Sequence, residues 1–210
     1  MKSGTKLKNT KKNRQRLTII LLSLTALISL YILLMPYLPR LIYLISKPKI
    51  NSSPYADASE ETKKNNNVSN QEVNKQDGNR LVLPQIGVNS KIIDGRNIDV
   101  IGRDQGVWRE TPSIDPTKPG NIVLAGHRFI YTVTRGGQFY NLTDLKINDV
   151  IYVKWNNKVY SYKVVNSRTV LPTQVEIRDP DPKISHKLTL YTCYPLGSTA
   201  KRFVVEASLQ

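Results

Sequence analysis

The hydrophobic and polar positions of this 210-residue chain divide it into three regions of different character. Residues 17–39, LTIILLSLTALISLYILLMPYLP, form an apolar run without a charged side chain. Residues 47–79 are polar, rich in Asn and Ser, and almost free of large apolar side chains. From Arg80 onward, short runs of Val, Ile, Leu and Tyr are separated by turn residues. The pattern therefore predicts an apolar segment, a polar connection and a folded β domain.

The apolar run has the length of a membrane-spanning helix, which needs about 20 consecutive apolar residues. Seven Lys and Arg residues precede it, and three follow closely. This bias places the N-terminus in the cytoplasm and the rest of the chain outside the cell membrane. A cleaved signal peptide is the competing interpretation, but the run is too long for one and no A-x-A site follows. We expect a cytoplasmic basic tail at residues 1–16 and a single-pass transmembrane anchor with its flank at 17–46.

The polar region at residues 47–79 has too few large apolar side chains to offset the entropy lost on ordering. We therefore expect a flexible polar tether between the membrane and the folded domain. A coil of this length has a root-mean-square span of about 30 Å.

The region 80–210 has the period and punctuation of β structure. Its candidate strands are RLVLPQIGV, NIVLAGHR, DVIYVKW, KVYSYKVV, KLTLYTC and RFVVEASL. Asn156 and Asn157 are typical of a tight hairpin turn, and one short helical turn is expected near residues 139–145. Several short strands with few helices predict a mainly β fold, a closed or nearly closed barrel with one or two short helices.

The net charge of +15 raises the possibility of nucleic-acid binding. However, the first fifty residues hold ten Lys and Arg and no acidic residue. Most of the excess charge therefore lies beside the apolar run, which favours membrane topology over a nucleic-acid partner.

The candidate chemistry centres on Cys193, the chain's single cysteine, at the end of the strand LTLYTC. Because side chains alternate between faces, Leu188 and Leu190 define a core face and Cys193 lies on the other. If the last two strands pair, Arg202 returns beside Cys193 on the same face. A cation there stabilises a thiolate or a developing oxyanion. A spare buried thiol and a surface arginine are the structural alternatives.

The sequence offers two histidines as partners for the cysteine. His186 is seven residues before Cys193 on the same expected strand, which separates them by roughly 23 Å. His127 ends the apolar strand NIVLAGHR and follows a glycine, so a Cys193–His127 site is a candidate for nucleophilic catalysis. Spacing alone does not bring the two together. With one Cys, two His and no dense acidic loop, we expect neither a metal nor a cofactor.

These motifs together resemble the sortase family of cysteine transpeptidases. The sequence has LAGHR around His127, TLYTC ending at Cys193, and Arg202 nine residues later. The family pattern is a GH motif, a TLxTC strand and an arginine at the start of the last strand. The resemblance covers residues 80–210, and its details are closest to the class D and E sortases.

The resemblance implies a sortase-like barrel with its site in an outer groove. Cys193 would attack the bond after Thr in a C-terminal LPxTG- or LAxTG-like sorting signal, forming a thioacyl enzyme. His127 would protonate the leaving amine, and Arg202 would position the substrate and support the oxyanion. An amine of a peptidoglycan precursor, or of a pilin lysine, would release the product. Thr192, Tyr194 and Ala125 are the candidate substrate-binding residues, and residues 171–185 and 194–201 are the candidate specificity loops.

Two further alternatives belong to other classes of protein. A membrane-anchored barrel could bind cell-wall proteins without catalysis, although a degenerate member would be expected to lack one of Cys193, His127 and Arg202. An L,D-transpeptidase would carry a His-Gly-Cys type signature, which YTCYP lacks.

Overall fold

The computed structural model describes residues 4–46, 50–64, 78–102, 105–128 and 138–210. The chain forms two units, Met1–Leu38 and Pro39–Gln210. The first contains the long helix α1 (Gly4–Leu34) and a 3-10 turn, Met35–Tyr37. Pro36 lies at the start of this turn and lacks the amide hydrogen that would continue the helix. The segment Lys12–Tyr37 is long and apolar enough to cross a membrane, since its 18-residue apolar window has a mean hydropathy of 2.5, and it is compatible with the expected anchor.

The second unit is a closed barrel preceded by short helices. Helix α2 spans Leu38–Ser46, beginning at the unit boundary, and helix α3 spans Ser53–Lys64. The strands are β1 (Arg80–Leu83), β2 (Val88–Asp94), β3 (Val107–Arg109), β4 (Gly120–Ala125), β5 (Val150–Trp155), β6 (Lys158–Val170), β7 (His186–Tyr194) and β8 (Lys201–Leu209).

The strand order around the barrel is β1-β2-β3-β4-β7-β8-β6-β5, and β5 pairs with β1 to close it. The pairs β2/β3 and β4/β7 are parallel, and the others are antiparallel. The expectation of a mainly β closed barrel with few helices is confirmed.

The barrel interior is filled by the apolar face of each strand, as the period of two predicts. The expected core residues Leu188 and Leu190 are fully buried there together with Val205 and Ala207. The predicted hairpin between β5 and β6 is also present. Its turn residues Asn156 and Asn157 have φ of 48° and 63°, which suits the type I′ turns that join twisted strands.

Three elements differ from the sequence prediction in extent, number or helix type. The run RLVLPQIGV is two strands, because a 3-10 turn at Pro84–Ile86 interrupts it before β2. The short strand β3 was not predicted, since three residues are too few to show a period. The expected helical turn near residues 139–145 is a 3-10 turn at Leu142–Asp144.

The prediction of a flexible tether over residues 47–79 is wrong for Ser53–Lys64, which form α3. Tyr55 of this helix stacks on Tyr152 of β5 with ring centroids 5.9 Å apart. Its hydroxyl accepts a hydrogen bond from Asn89 Nδ2 at 2.9 Å, and Ala58 packs in the same cluster. One tyrosine and one alanine at helical spacing thus supply enough apolar contact to hold the helix on the barrel. Residues 47–49 and 65–77 lie outside the described residues.

Candidate active site

Cys193 lies near the end of β7 and faces Arg202 of β8. The two strands are antiparallel, and the residue paired with Cys193 is Arg202. Their core faces point inward, so this pair stands on the outer face of the barrel wall. The Cys193–Arg202 pairing predicted from the alternation of side chains is confirmed in this register. Both side chains are partly exposed.

His127 reaches the same place through the parallel pairing of β4 with β7. Ala125 is opposite Tyr191 in this register, so His127 and Cys193 each follow their paired residue by two positions. The chain stays aligned beyond β4, because Gly126 N donates to Tyr191 O at 3.3 Å. The structure therefore places His127 and Cys193 at neighbouring strand ends, which spacing alone did not establish.

Thr192 connects these two strand ends through its side chain. It is 2% exposed, and its Oγ1 donates to Gly126 O at 2.8 Å. Thr192 also borders the cavity, and this contact ties the end of β7 to the residue before His127.

Gly126 is needed because the chain passes close to an aromatic ring. A Cβ at this position would stand 2.8 Å from Cδ2 of Phe139, which is closer than carbon atoms approach. Phe139 is fully buried, and its backbone N donates to His127 O at 3.0 Å. The Gly-His step is thus fixed from the core side by Phe139.

A cavity of about 390 Å³ opens beside the three candidate catalytic residues. His127, Cys193 and Arg202 all border it. Its apolar wall comes from the 3-10 turn after β2, from β3 and from the β6–β7 connection, and consists of Ile98, Trp108, Leu171, Pro172 and Ile177. The site therefore combines reactive side chains and an apolar lining in one groove.

Arg202 is held by backbone carbonyls on its own side of the site. Its NH1 donates to Thr199 O at 2.9 Å and to Lys201 O at 3.0 Å. Among the described residues, no partner is recorded for its Nε or its other terminal nitrogen. The guanidinium is thus oriented by one nitrogen and retains donors for a ligand.

A charged network, which no sequence pattern indicated, forms part of the cavity wall. The Glu110 carboxylate accepts from Arg178 Nε at 2.6 Å and from Tyr191 OH at 2.8 Å. Burial, together with the negative charge of Glu110, raises the pKa of Tyr191. The network ties the end of β3 to the β6–β7 connection and to β7. Its members are far apart in sequence and look like ordinary surface residues there.

The backbone of the β6–β7 connection is also hydrogen-bonded to the side chain of Asn121 of β4. Asn121 Nδ2 donates to the backbone oxygens of Ile177, Arg178 and Asp179 at 3.0, 3.1 and 3.3 Å. Thr189 Oγ1 donates to Asn121 Oδ1 at 2.9 Å and fixes the orientation of the amide. One wall of the cavity therefore rests on a buried polar bracket.

The remaining sequence-predicted residues have different positions. Ala125 borders the cavity but is only 1% exposed. Tyr194 does not line this cavity; its ring lies 6.1 Å from that of Phe203 and 4.9 Å from the Arg128 guanidinium carbon. His186 begins β7, at the opposite end of the strand from Cys193. In the described part of the chain, no group of three or more His, Cys, Asp or Glu side chains is placed to hold a metal ion.

The fold and the site together define a barrel protein with a cysteine, a histidine and an arginine at one groove. The family model for the Sortase domain matches residues 81–210. The chain belongs to the sortase family.

Among curated relatives, the chain is 30% identical to sortase A of Staphylococcus aureus over 114 residues. The aligned region covers 54% of this chain and 53% of that protein. It is 27% identical over 128 residues to sortase D of Bacillus subtilis, covering 60% of each. The chain spans about half the length of the curated relatives it matches.

Among solved structures, the chain is similar to sortase C-1 from Actinomyces oris, with a TM-score of 0.56, 28% identity and coverage of 63% of this chain and 73% of that one. It shares its fold with sortase E1 from Streptomyces coelicolor, solved with a tripeptide in the active site, with a TM-score of 0.56, 24% identity and coverage of 64% and 88%. These relatives carry the names of several sortase classes, so they do not single out one class for this chain.

Proposed function

We propose that this protein is a membrane-anchored, extracellular cysteine transpeptidase of the class D or E type. It cleaves a C-terminal LPxTG- or LAxTG-like sorting signal after Thr and transfers the protein to an amine of a cell-wall precursor. The observation that carries the proposal is the meeting of Cys193, His127 and Arg202 at one groove. Sortase family membership of residues 81–210 supports it.

The first half of the reaction acylates the enzyme. The Cys193 thiolate attacks the Thr carbonyl carbon, and the carbonyl oxygen takes up negative charge. Arg202 donates hydrogen bonds to that oxygen from the nitrogens not engaged with Thr199 and Lys201. His127 in its protonated form gives a proton to the leaving nitrogen as the peptide bond breaks. The products are a Cys193 thioester and the released C-terminal fragment.

The second half of the reaction regenerates the enzyme. The acceptor amine attacks the thioester carbon, and its proton passes to His127, now neutral. Collapse of the intermediate expels the Cys193 thiolate and forms a new amide bond. Proton and charge therefore return to their starting places without a metal or an organic cofactor.

The shape of the cavity supports a peptide with apolar residues before the cleaved bond. Trp108, Leu171 and Ile177 give the cavity an apolar lining. They would contact the Leu and the Pro or Ala of the signal, and the Thr would lie next to Cys193. Ala125 contributes to this surface only through its limited exposed area.

Localisation follows from the N-terminal segment. The apolar helix at Lys12–Tyr37 would anchor the chain as a single-pass membrane protein with residues 1–16 in the cytoplasm. The catalytic domain, residues 80–210, would face the cell wall, where membrane-retained precursors and substrates are present.

The test is intact-mass analysis of the full chain in detergent with LPxTG, LAxTG and LPxTA peptides and an amine. An adduct that is present in wild type and absent in Cys193→Ala identifies the nucleophile. Oligoglycine and lysine-containing peptides, compared as acceptors, separate a wall precursor from a pilin lysine.

Three variants assign the remaining roles. His127→Ala should abolish nearly all transfer, and Arg202→Lys should be strongly impaired because lysine lacks the planar fork of donors. His186→Ala is the matched control, since His186 lies at the far end of β7. Transfer that survives Cys193→Ala would refute the mechanism. A wild-type chain that binds a signal peptide but never forms an adduct would favour the non-catalytic binding alternative.

A further inference from the structure

Helix α2 carries several large apolar side chains that are exposed in the described part of the chain. Leu41, Ile42, Leu44 and Ile45 are all exposed, and Ile45 is 86% exposed. Leu41, Ile42 and Ile45 recur at the three- and four-residue spacing that places side chains on one helical face. Exposed apolar residues that occur together on one face, rather than singly, mark a contact surface.

The opposite face of α2 is attached to the barrel unit. Arg40 NH1 donates to Asp144 Oδ2 at 2.5 Å and to Asn141 Oδ1 at 2.9 Å. Tyr43 lies beneath the Arg40 guanidinium, 5.6 Å from its ring centroid, and its hydroxyl donates to Gln85 O at 3.4 Å. The helix is therefore oriented, with its polar side toward the barrel and its apolar side away from it.

The segment to which α2 is attached follows His127 in the chain and is hydrogen-bonded to it. Asn141 and Asp144 belong to the connection that leaves β4 after His127. Phe139 of the same connection donates its backbone N to His127 O. The side of the barrel that α2 contacts is thus the side at which β4 ends and His127 is presented.

Chain continuity identifies what covers the apolar face. The segment capable of crossing a membrane ends at Tyr37, and α2 begins at Leu38. No residues separate them, so α2 starts where the chain leaves the hydrocarbon. A short amphipathic helix at that position lies in the plane of the interface with its apolar face in lipid. A second copy of the chain could cover the apolar face of α2 only by displacing the lipid that lies next to it.

We propose that α2 lies in the outer membrane interface, with Leu41, Ile42 and Ile45 in lipid, and holds the catalytic end of the barrel at the membrane surface. This inference rests on the membrane anchorage given under Proposed function. It implies that the preferred substrate presents its sorting signal within the first residues outside the bilayer. A substrate free in the cell wall would have to return to the membrane to be cleaved.

The test measures the depth of single labelled positions in the full chain. Cys193→Ala leaves the chain without cysteine, because it holds only one. Into this background we would introduce Ile45→Cys on α2, Leu27→Cys in the apolar segment, or Lys91→Cys on an exposed part of β2. Each is labelled with an environment-sensitive fluorophore and reconstituted into phosphatidylcholine–phosphatidylglycerol vesicles. The lipids carry a nitroxide quencher either near the headgroup or deep in the acyl chain.

The proposal expects the Ile45 label to be quenched several-fold more by the shallow nitroxide than the Lys91 label, with blue-shifted emission. The Leu27 label should respond more to the deep nitroxide. An Ile45 label as unquenched as the Lys91 label, with Leu27 still quenched, overturns this proposal and leaves the anchor intact. An unquenched Leu27 label overturns the anchorage itself.

Two further outcomes would overturn the interfacial position. Preference of the Ile45 label for the deep nitroxide would mean that α2 continues into the hydrocarbon. Blue-shifted emission without quenching, reversed when the protein is diluted into excess lipid, would mean that a second copy covers the face.

Discussion

Thr192 offers a direct test of how the site is positioned, through the variant Thr192→Val. Valine has nearly the same shape as threonine but replaces the hydroxyl with a methyl group. The change removes the hydrogen bond from Thr192 Oγ1 to Gly126 O, which is 2.8 Å long and buried. The substitution leaves the side chains of Cys193 and His127 unchanged.

The expected loss of stability follows from the unpaired carbonyl. A buried acceptor left without its partner costs about 1–3 kcal/mol, so the free energy of unfolding should fall by that amount. Thr192→Ser is the matched control, because it keeps the hydroxyl and loses one methyl group, worth about 0.8 kcal/mol. Misplacement of a catalytic group by about 1 Å can cost roughly a hundredfold in rate. The acylation rate of Thr192→Val should therefore fall by between about tenfold and a hundredfold, and that of Thr192→Ser by far less.

The measurements are urea denaturation for the free energy of unfolding and rapid-quench mass spectrometry for the rate of thioester formation. The reasoning requires Thr192→Val to lose more than Thr192→Ser in both the free energy of unfolding and the rate of thioester formation. If Thr192→Ser loses as much as Thr192→Val, then packing of the methyl group, and not the hydrogen bond, positions the strand ends. If Thr192→Val acylates at the wild-type rate, Gly126 and His127 are held by other contacts.

Three further predictions concern stability. Tyr162 OH is buried without a hydrogen-bond partner in the described part of the chain, so Tyr162→Phe should leave the urea midpoint unchanged or raise it; a clear decrease would reveal a hidden partner. Burial and the Glu110 charge raise the pKa of Tyr191 above the value of about 10 that a tyrosine has in an unfolded chain. The contribution of the neutral Tyr191 phenol to the free energy of unfolding is therefore complete below about pH 10 and declines as pH rises through the folded pKa. Tyr191→Phe should therefore flatten the alkaline fall in unfolding free energy, and an unchanged slope would contradict this. Glu110→Gln should lower stability by about 1–3 kcal/mol and weaken peptide binding through Arg178, whereas Asp94→Asn, at a carboxylate whose side chain is 56% exposed, should change both much less.

The parts of the site that the sequence predicted depend on local patterns. The alternation of Leu188 and Leu190 with Cys193, and of Val205 with Arg202, was enough to place Cys193 opposite Arg202. The Asn156–Asn157 turn was equally local, because two residues with positive φ specify the hairpin.

The parts that it missed depend on contacts between distant segments. The parallel pairing of β4 and β7 joins strands about sixty residues apart, and no periodicity encodes such a pairing. In the sequence, residue chemistry made a Cys193–His127 site a candidate, and only the family resemblance implied that the two side chains meet. Glu110 and Arg178 are charged residues in turn-rich segments, which normally indicate solvent exposure. Helix α3 was missed because average polarity hid the few residues, chiefly Tyr55 and Ala58, that pack on the barrel.

The bracket formed by Asn121 has a consequence for the exchange of specificity. It grips the β6–β7 connection by the backbone oxygens of residues 177–179, and a backbone oxygen is the same whatever side chain its residue carries. The side chains at Leu171, Pro172 and Gln174, which border the cavity, can therefore be changed while the hydrogen bonds from Asn121 to residues 177–179 are retained. In grafting terms, residues 177–179 are the natural junction at which the corresponding connection from another barrel of this family could be joined to this one.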